Sequence, residues 1–128
     1  MKNLTRYVAI LILFAILAAC KIDSKWLLES QETLTIEIHE LNGKNKGKKE
    51  IRKGEEAYSQ LKRWMEENEK GWEPSLVTFV PAIEIRGKKF FLNFHPRRAI
   101  LNFQSPDGQW HQYVKEIAEA DFQYLMPR

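Results

Sequence analysis

The sequence predicts an α+β fold: an antiparallel β-sheet of five to six strands, one amphipathic helix laid on one face, and a short C-terminal helix. Three observations carry this. Apolar and polar residues alternate with the two-residue period of half-buried strands in residues 34–39 and again across 82–114. Between those stretches, residues 55–70 keep the three-to-four-residue spacing of a helix with one buried stripe. Gly, Pro, Asn and Asp gather where the period changes, as turns require. Strands joined by such short turns pair antiparallel, and a single helix following the first hairpin is most simply packed on the resulting sheet.

The chain begins with "MKNLTRY", which carries Lys2 and Arg6, followed by an uncharged apolar run from Val8 to Ala19. Crossing a bilayer takes about 20 apolar residues, so this run is too short to span. A positive start, a short apolar middle and small residues at the end form a secretory signal peptide. The ending Leu17-Ala18-Ala19-Cys20 resembles the lipobox of bacterial lipoproteins. The resemblance covers residues 1–20 and does not extend to the rest of the chain. It implies that the Cys20 thiol receives a diacylglyceryl group, that residues 1–19 are removed, and that the protein is then anchored in the membrane through acyl chains. In enterobacterial lipoproteins Asp after that cysteine marks inner-membrane retention. Lys21 at this position implies the outer membrane, facing the periplasm, if the cell is Gram-negative.

Without residues 1–19 the composition reads differently. Lys2 and Arg6 leave and no acid leaves with them, so the formal charge falls from +3 to +1. The apparent basicity is partly a property of the signal, which removes the main support for nucleic-acid binding. Cys20 is the only cysteine, so packing alone must hold the fold even in an oxidising compartment. The expected organisation is a signal at 1–19, a lipid-anchored linker at 20–30 and one α+β domain at 31–128, monomeric. Trp26, Leu27 and Leu28 are unusual in a free linker. They either dock on the domain, the preferred reading, or sit at lipid headgroups where Trp is favoured.

Leu34, Ile36 and Ile38 form one face of the first strand, and Asn42-Gly43 suits a tight hairpin turn. The return strand is strongly basic, with Lys44, Lys46, Lys48, Lys49, Arg52 and Lys53 within ten residues. Such a run suits a patch for anionic lipid or an acidic partner. It equally suits a solvated edge strand that uses Lys to block edge-to-edge aggregation. The helix that follows has Gly54 placed to cap it, Glu55 and Glu56 in the first turn, and Tyr58, Leu61, Met65 and Asn68, flanked by Ala57 and Trp64, at helical spacing. Gly71 suits the helix stop, with Trp72 folding back over the last turn.

Turn positions set the register of the meander. A two-residue turn at Gly87-Lys88 pairs Ile85 with Phe90 and Ile83 with Leu92. A four-residue connection at "HPRR" pairs Phe94 with Ala99, Leu92 with Leu101 and Phe90 with Phe103. Both hairpins place Ile83, Ile85, Phe90, Leu92, Phe94, Ala99, Leu101 and Phe103 on one face, a set that a one-residue slip would scatter. The other face then holds Glu84, Phe91, Asn93, Ile100 and Asn102. Taking "SPDG" as the next turn adds His111 and Tyr113 to that second face and points Trp110 and Val114 inward. Asn in mid-strand is unfavourable, and a face mixing aromatics, amides and His resembles a recognition surface. The alternative is that the N-terminal segment or the last helix covers it and satisfies its polar groups. Phe91, Asn93, Asn102, His111 and Tyr113 are therefore the binding-face candidates. Ile117, Phe122 and Leu125 close the chain as a short helix on the sheet.

No catalytic constellation is visible. No serine sits in a glycine-flanked elbow, and His39, His95 and His111 lack paired metal-ligand spacing. With six glycines in the chain there is also no phosphate-cradling loop. The expectation is a non-enzymatic lipoprotein without cofactor or metal, binding a protein partner as an inhibitor or immunity-type module. The alternative is an accessory factor of envelope assembly or cell-wall binding.

Overall fold

The structure, a computed structural model, describes residues 21–39, 44–76, 78 and 80–126. The expected signal peptide, Cys20 and the expected Asn42-Gly43 turn lie outside them. The elements are α1 (Ser24–Leu28), β1 (Thr33–His39), β2 (Asn45–Arg52), α2 (Glu56–Glu67), β3 (Glu73–Pro74), β4 (Ile83–Arg86), β5 (Phe90–His95), β6 (Arg98–Gln104) and β7 (Trp110–Glu116). Two 3-10 turns, Glu119–Asp121 and Gln123–Leu125, follow where the sequence suggests one short helix. The strands form one antiparallel sheet in the order β2-β1-β4-β5-β6-β7-β3. No helix among the described residues is long and apolar enough to cross a membrane.

The α+β architecture is as the sequence predicts, with seven strands rather than five or six. The additional strand is β3, two residues that pair with Val114 and Tyr113 of β7. Gly71, at a φ of 84° that favours glycine, turns the chain out of α2 into this short strand. A two-residue strand has no period to read. Trp72 does fold back as expected: its indole N–H donates to Asn68 O, and its ring meets Trp64 edge-on at 6.4 Å. The N-cap of α2 is Glu55 rather than Gly54, which instead takes a φ of 96° in the turn from β2.

One face of the sheet, here the inner face, carries the core. Leu34 and Ile36 of β1, Ile83 and Ile85 of β4, Phe90, Leu92 and Phe94 of β5, and Ala99 and Leu101 of β6 are all buried there. Tyr58, Leu61, Trp64 and Met65 of α2 close over them, and Phe122 stacks on Phe94 at 5.2 Å. The β5–β6 pairs are those expected: Phe90 with Phe103, Leu92 with Leu101, Phe94 with Ala99. The β4–β5 hairpin is displaced by two residues, pairing Ile85 with Leu92 and Ile83 with Phe94. The turn runs through Lys89, with the Gly87 amide donating to Phe90 O at 3.0 Å. A shift of two keeps every side chain on its expected face, so the core set survives the error.

The segment 21–30 is built into this core. Ile22 is 5% exposed and Leu27 is 1% exposed. Asp23 caps α1 by accepting from Trp26 N at 3.0 Å. The Trp26 indole N–H donates to Gln104 O at 3.2 Å, and the Lys89 ammonium lies 3.4 Å from the centre of its ring. Docking therefore describes Trp26, Leu27 and Leu28. Buried Gln31 links the layers, its carbonyl accepting from the Tyr58 hydroxyl and its side-chain oxygen from Lys88 N.

Candidate functional site

The opposite, outer face divides into two ends. At one end a row crosses the sheet through Glu84, Asn93, Ile100 and Val114. Ile100 is only 4% exposed, yet it lies apart from the core cluster on the inner face. Asn93 Oδ1 is buried here without a hydrogen-bond partner. This end of the face is closed.

The other end is open. A second row runs through Arg86, Phe91, Asn102 and Gln112, with Gln104 and Trp110 paired beyond it. The Phe91 and Trp110 rings stack across β6 with centres 5.5 Å apart and planes inclined by 18°. The Arg86 guanidinium lies 5.3 Å from the Phe91 ring centre, and its Nε pairs with the Glu84 carboxylate. Arg86, Phe91 and Trp110 thus form a ladder of three planar groups over β4 to β7, and Trp110 at its end is 51% exposed. The Ser75 amide donates to Gln112 O at 3.1 Å, so the 99% exposed Leu76 starts beside this end of β7. A stacked ladder is already ordered, so a partner meeting it loses little side-chain freedom on contact.

Of the five binding-face candidates, Phe91, Asn93 and Asn102 share the outer face, with Asn93 at its closed end. His111 and Tyr113 do not. They pair with Phe103 and Leu101 and point to the inner face, while Trp110 and Val114 point outward. Phe103 stacks against Tyr113 at 5.6 Å and meets the His111 ring at a tilt at 5.4 Å, at the margin of the core. The cause is a turn one residue longer than "SPDG". Asp107 Oδ1 accepts from Gln109 N at 3.0 Å and Ser105 N donates to Gln109 O at 2.9 Å, which draws Gln109 into the connection. Gln104 then pairs with Trp110, and every residue of β7 changes face. An aspartate that hydrogen-bonds the backbone two residues on is a recognised turn device, so Asp107 was the legible signal. Arg86, Trp110 and Gln112 are the outer-face residues that sequence reasoning missed.

The same turn brings together a serine, a histidine and an aspartate. Ser105 Oγ lies 3.1 Å from His111 Nε2 and also hydrogen-bonds Asp107. The wiring is not that of a nucleophile, because the serine joins the other two whereas an activating histidine must stand between serine and carboxylate. Here the Ser105 hydroxyl lies within hydrogen-bond distance of Asp107 Oδ1, Gln109 O and His111 Nε2 together. The Ser105 hydroxyl and the Gln109 amide hold the Asp107 carboxyl below its ordinary range. The cluster closes a turn.

The basic residues of β2 do not converge. Strand alternation sends Lys48 and Arg52 to the outer side, whereas Lys49 lies on the side of buried Ile51. Lys48 lies 3.8 Å from Glu37, and Lys53 lies 3.8 Å from Glu32. Lys44 and Lys46 open the strand beside the β1 irregularity at Ile38/His39. β2 is an outer edge of the sheet, where lysines protect an unpaired backbone. Among the described residues no group of three His, Cys, Asp or Glu side chains converges as a metal site. Comparison with protein-family models, curated proteins and solved structures returned no match.

Proposed function

We propose that this protein is a lipid-anchored, non-catalytic binding module of the bacterial cell envelope, of the inhibitor or immunity type, that meets a protein partner through the Arg86–Phe91–Trp110 ladder. The ladder is the observation that carries the reading. Tryptophan and arginine dominate the energetics of protein interfaces, and here they are combined, ordered and exposed on one surface. Asn102, Gln104 and Gln112 beside them supply amide groups suited to the polar rim of such a contact. Anchoring through Cys20, at the outer membrane if the cell is Gram-negative, holds the module where secreted hydrolases or toxins would be met.

The test uses acylated protein extracted from membranes and immobilised against envelope proteins from the same cells. The Phe91→Ala/Trp110→Ala pair should lose a specific captured protein while remaining folded. Tyr113→Ala, on the inner face, should instead lower stability and retain capture at low temperature. A double variant that remains folded and keeps its partner would remove the ladder from the contact. Anchoring is tested separately: Cys20→Ser should remain an uncut, non-acylated precursor on fractionation.

A further inference from the structure

We propose that the protein has no free tether and lies directly on the bilayer, with its helical layer of α1 and α2 against the lipid headgroups and the outer sheet face turned away from them. This rests on the Cys20 anchor of the proposed function and goes beyond it to an orientation. The observation is how early the chain is fixed. Ile22, the second residue after Cys20, is buried, and its amide donates to Glu69 O at 2.8 Å. Ser24 Oγ donates to Glu69 Oε1 at 2.7 Å, and the Lys21 ammonium lies 3.2 Å from Glu69 Oε2. Lys21 is the only residue between the anchor cysteine and the packed chain. Two extended residues reach about 7 Å at most, comparable to the thickness of one headgroup layer.

The chain enters the fold in the helical layer. Ile22 sits among Trp64, Met65, Asn68 and Trp72, between the end of α2 and the inner face of β5 and β6. An anchor emerging there draws that layer, not the far face of the sheet, onto the membrane. Part of the exposed side of the layer is a groove between α1 and α2, lined by Lys25, Glu29, Lys53, Lys62 and Glu66 among others. Its mixed charge suits zwitterionic headgroups and needs no anionic lipid. Of the basic residues at 44–53, Lys53 reaches this groove. The Arg86–Phe91–Trp110 ladder lies on the opposite side of the sheet and faces the aqueous space, so its partner would approach from solution.

The experiment places single cysteines in the full-length protein, which is acylated in cells, purified in detergent and reconstituted in phosphatidylcholine vesicles. Lys25→Cys and Lys62→Cys report on the helical layer; Lys48→Cys and Glu50→Cys report on the outer face at β2. All four positions are exposed side chains, and two per side guard against one that disturbs folding. Thioether formation blocks Cys20, so each variant should show one reactive thiol. With a fluorophore on that thiol and a quencher on the lipid headgroup, positions 25 and 62 should be quenched several-fold more than 48 and 50. Proteins that float with the vesicles but quench equally at all four positions would overturn the orientation and leave the anchor standing. Failure to float, with two reactive thiols, would overturn the anchor and the orientation with it. A flexible ten-residue insertion between Cys20 and Lys21 should abolish the difference without affecting flotation. If the difference persisted, the short connection would not be its cause.

Discussion

The two faces of the sheet are made by the same strands and differ by one residue of register, yet they have been put to different uses. The inner face is apolar in every central row and sealed by α2, α1 and the C-terminal turns. The outer face is sealed at Ile100 and open at Trp110, with amides in mid-strand. The lesson is that parity, more than sequence composition, decides a residue's role here. Tyr113 and Trp110 are both aromatic and three residues apart on one strand. One is at the core margin and the other is the exposed end of a ladder.

The largest expected effects belong to the inner face. Leu92→Ala and Leu101→Ala should each cost about 2–5 kcal/mol, since both remove a fully buried side chain with little room to collapse. They face each other across β5 and β6, so the double variant should depart from additivity. Denaturant titration reads both. Losses near zero at both positions would mean that the inner face is not the core.

The outer face should show a gradient within itself. Ile100→Ala at the closed end should cost about 2–4 kcal/mol, like a core residue. Trp110→Ala at the open end should cost about 1 kcal/mol, from the stack with Phe91 and little else. Equal losses at the two sites would erase the division between a closed and an open end, and with it the case for an exposed ladder.

The turn that sets this parity should be sensitive in its own right. Gly108 has a φ of 88°, and Gly108→Ala should cost about 1–2 kcal/mol by forcing a side chain into the left-handed region. Asp107→Ala should lower stability slightly by releasing the Gln109 amide, without altering the face that Trp110 occupies. The check is thermal melting together with Trp110 fluorescence. A larger loss accompanied by burial of Trp110 would mean that Asp107 alone holds the register.

Much of the inner face was legible because a period-two pattern survives errors in turn length that are even. The β4–β5 turn is longer than the Gly87-Lys88 dipeptide suggests, yet Ile83, Ile85, Phe90, Leu92 and Phe94 stay inward. Gly87 is required there for a different reason: a Cβ would lie 2.5 Å from the Phe90 ring. The β6–β7 turn is longer by one, an odd error, so every residue of β7 was assigned to the wrong face. The ladder was illegible for that reason, and because Arg86, Phe91 and Trp110 come from three strands. The built-in position of Ile22 was also hidden, since nothing local in "KIDSKWLLES" shows that its amide pairs with Glu69.

The smallest expected effect concerns that N-terminal clasp and compares it with the rest of the core. Glu69 holds the segment with three contacts: its carbonyl accepts from Ile22 N, and its carboxylate meets Ser24 Oγ and the Lys21 ammonium. The Ser24 hydrogen bond, reinforced by Lys21 and opposed by desolvation, lowers the Glu69 pKa below its ordinary value. A carboxylate whose pKa is depressed on folding stabilises the fold above its unfolded pKa and loses that contribution as pH falls through the folded one. The clasp should therefore hold at neutral pH and loosen only below the ordinary carboxylate range. Because the group is near the surface, solvent screening keeps the effect small. Glu69→Gln should flatten the acid limb of the stability curve slightly, and in the parent amides 22–28 should be less protected at low pH than at neutral pH once exchange is corrected for its intrinsic pH dependence. An acid limb unchanged by Glu69→Gln, with equal protection at both pH values, would show that packing of Ile22 and Leu27 fixes the segment without the clasp.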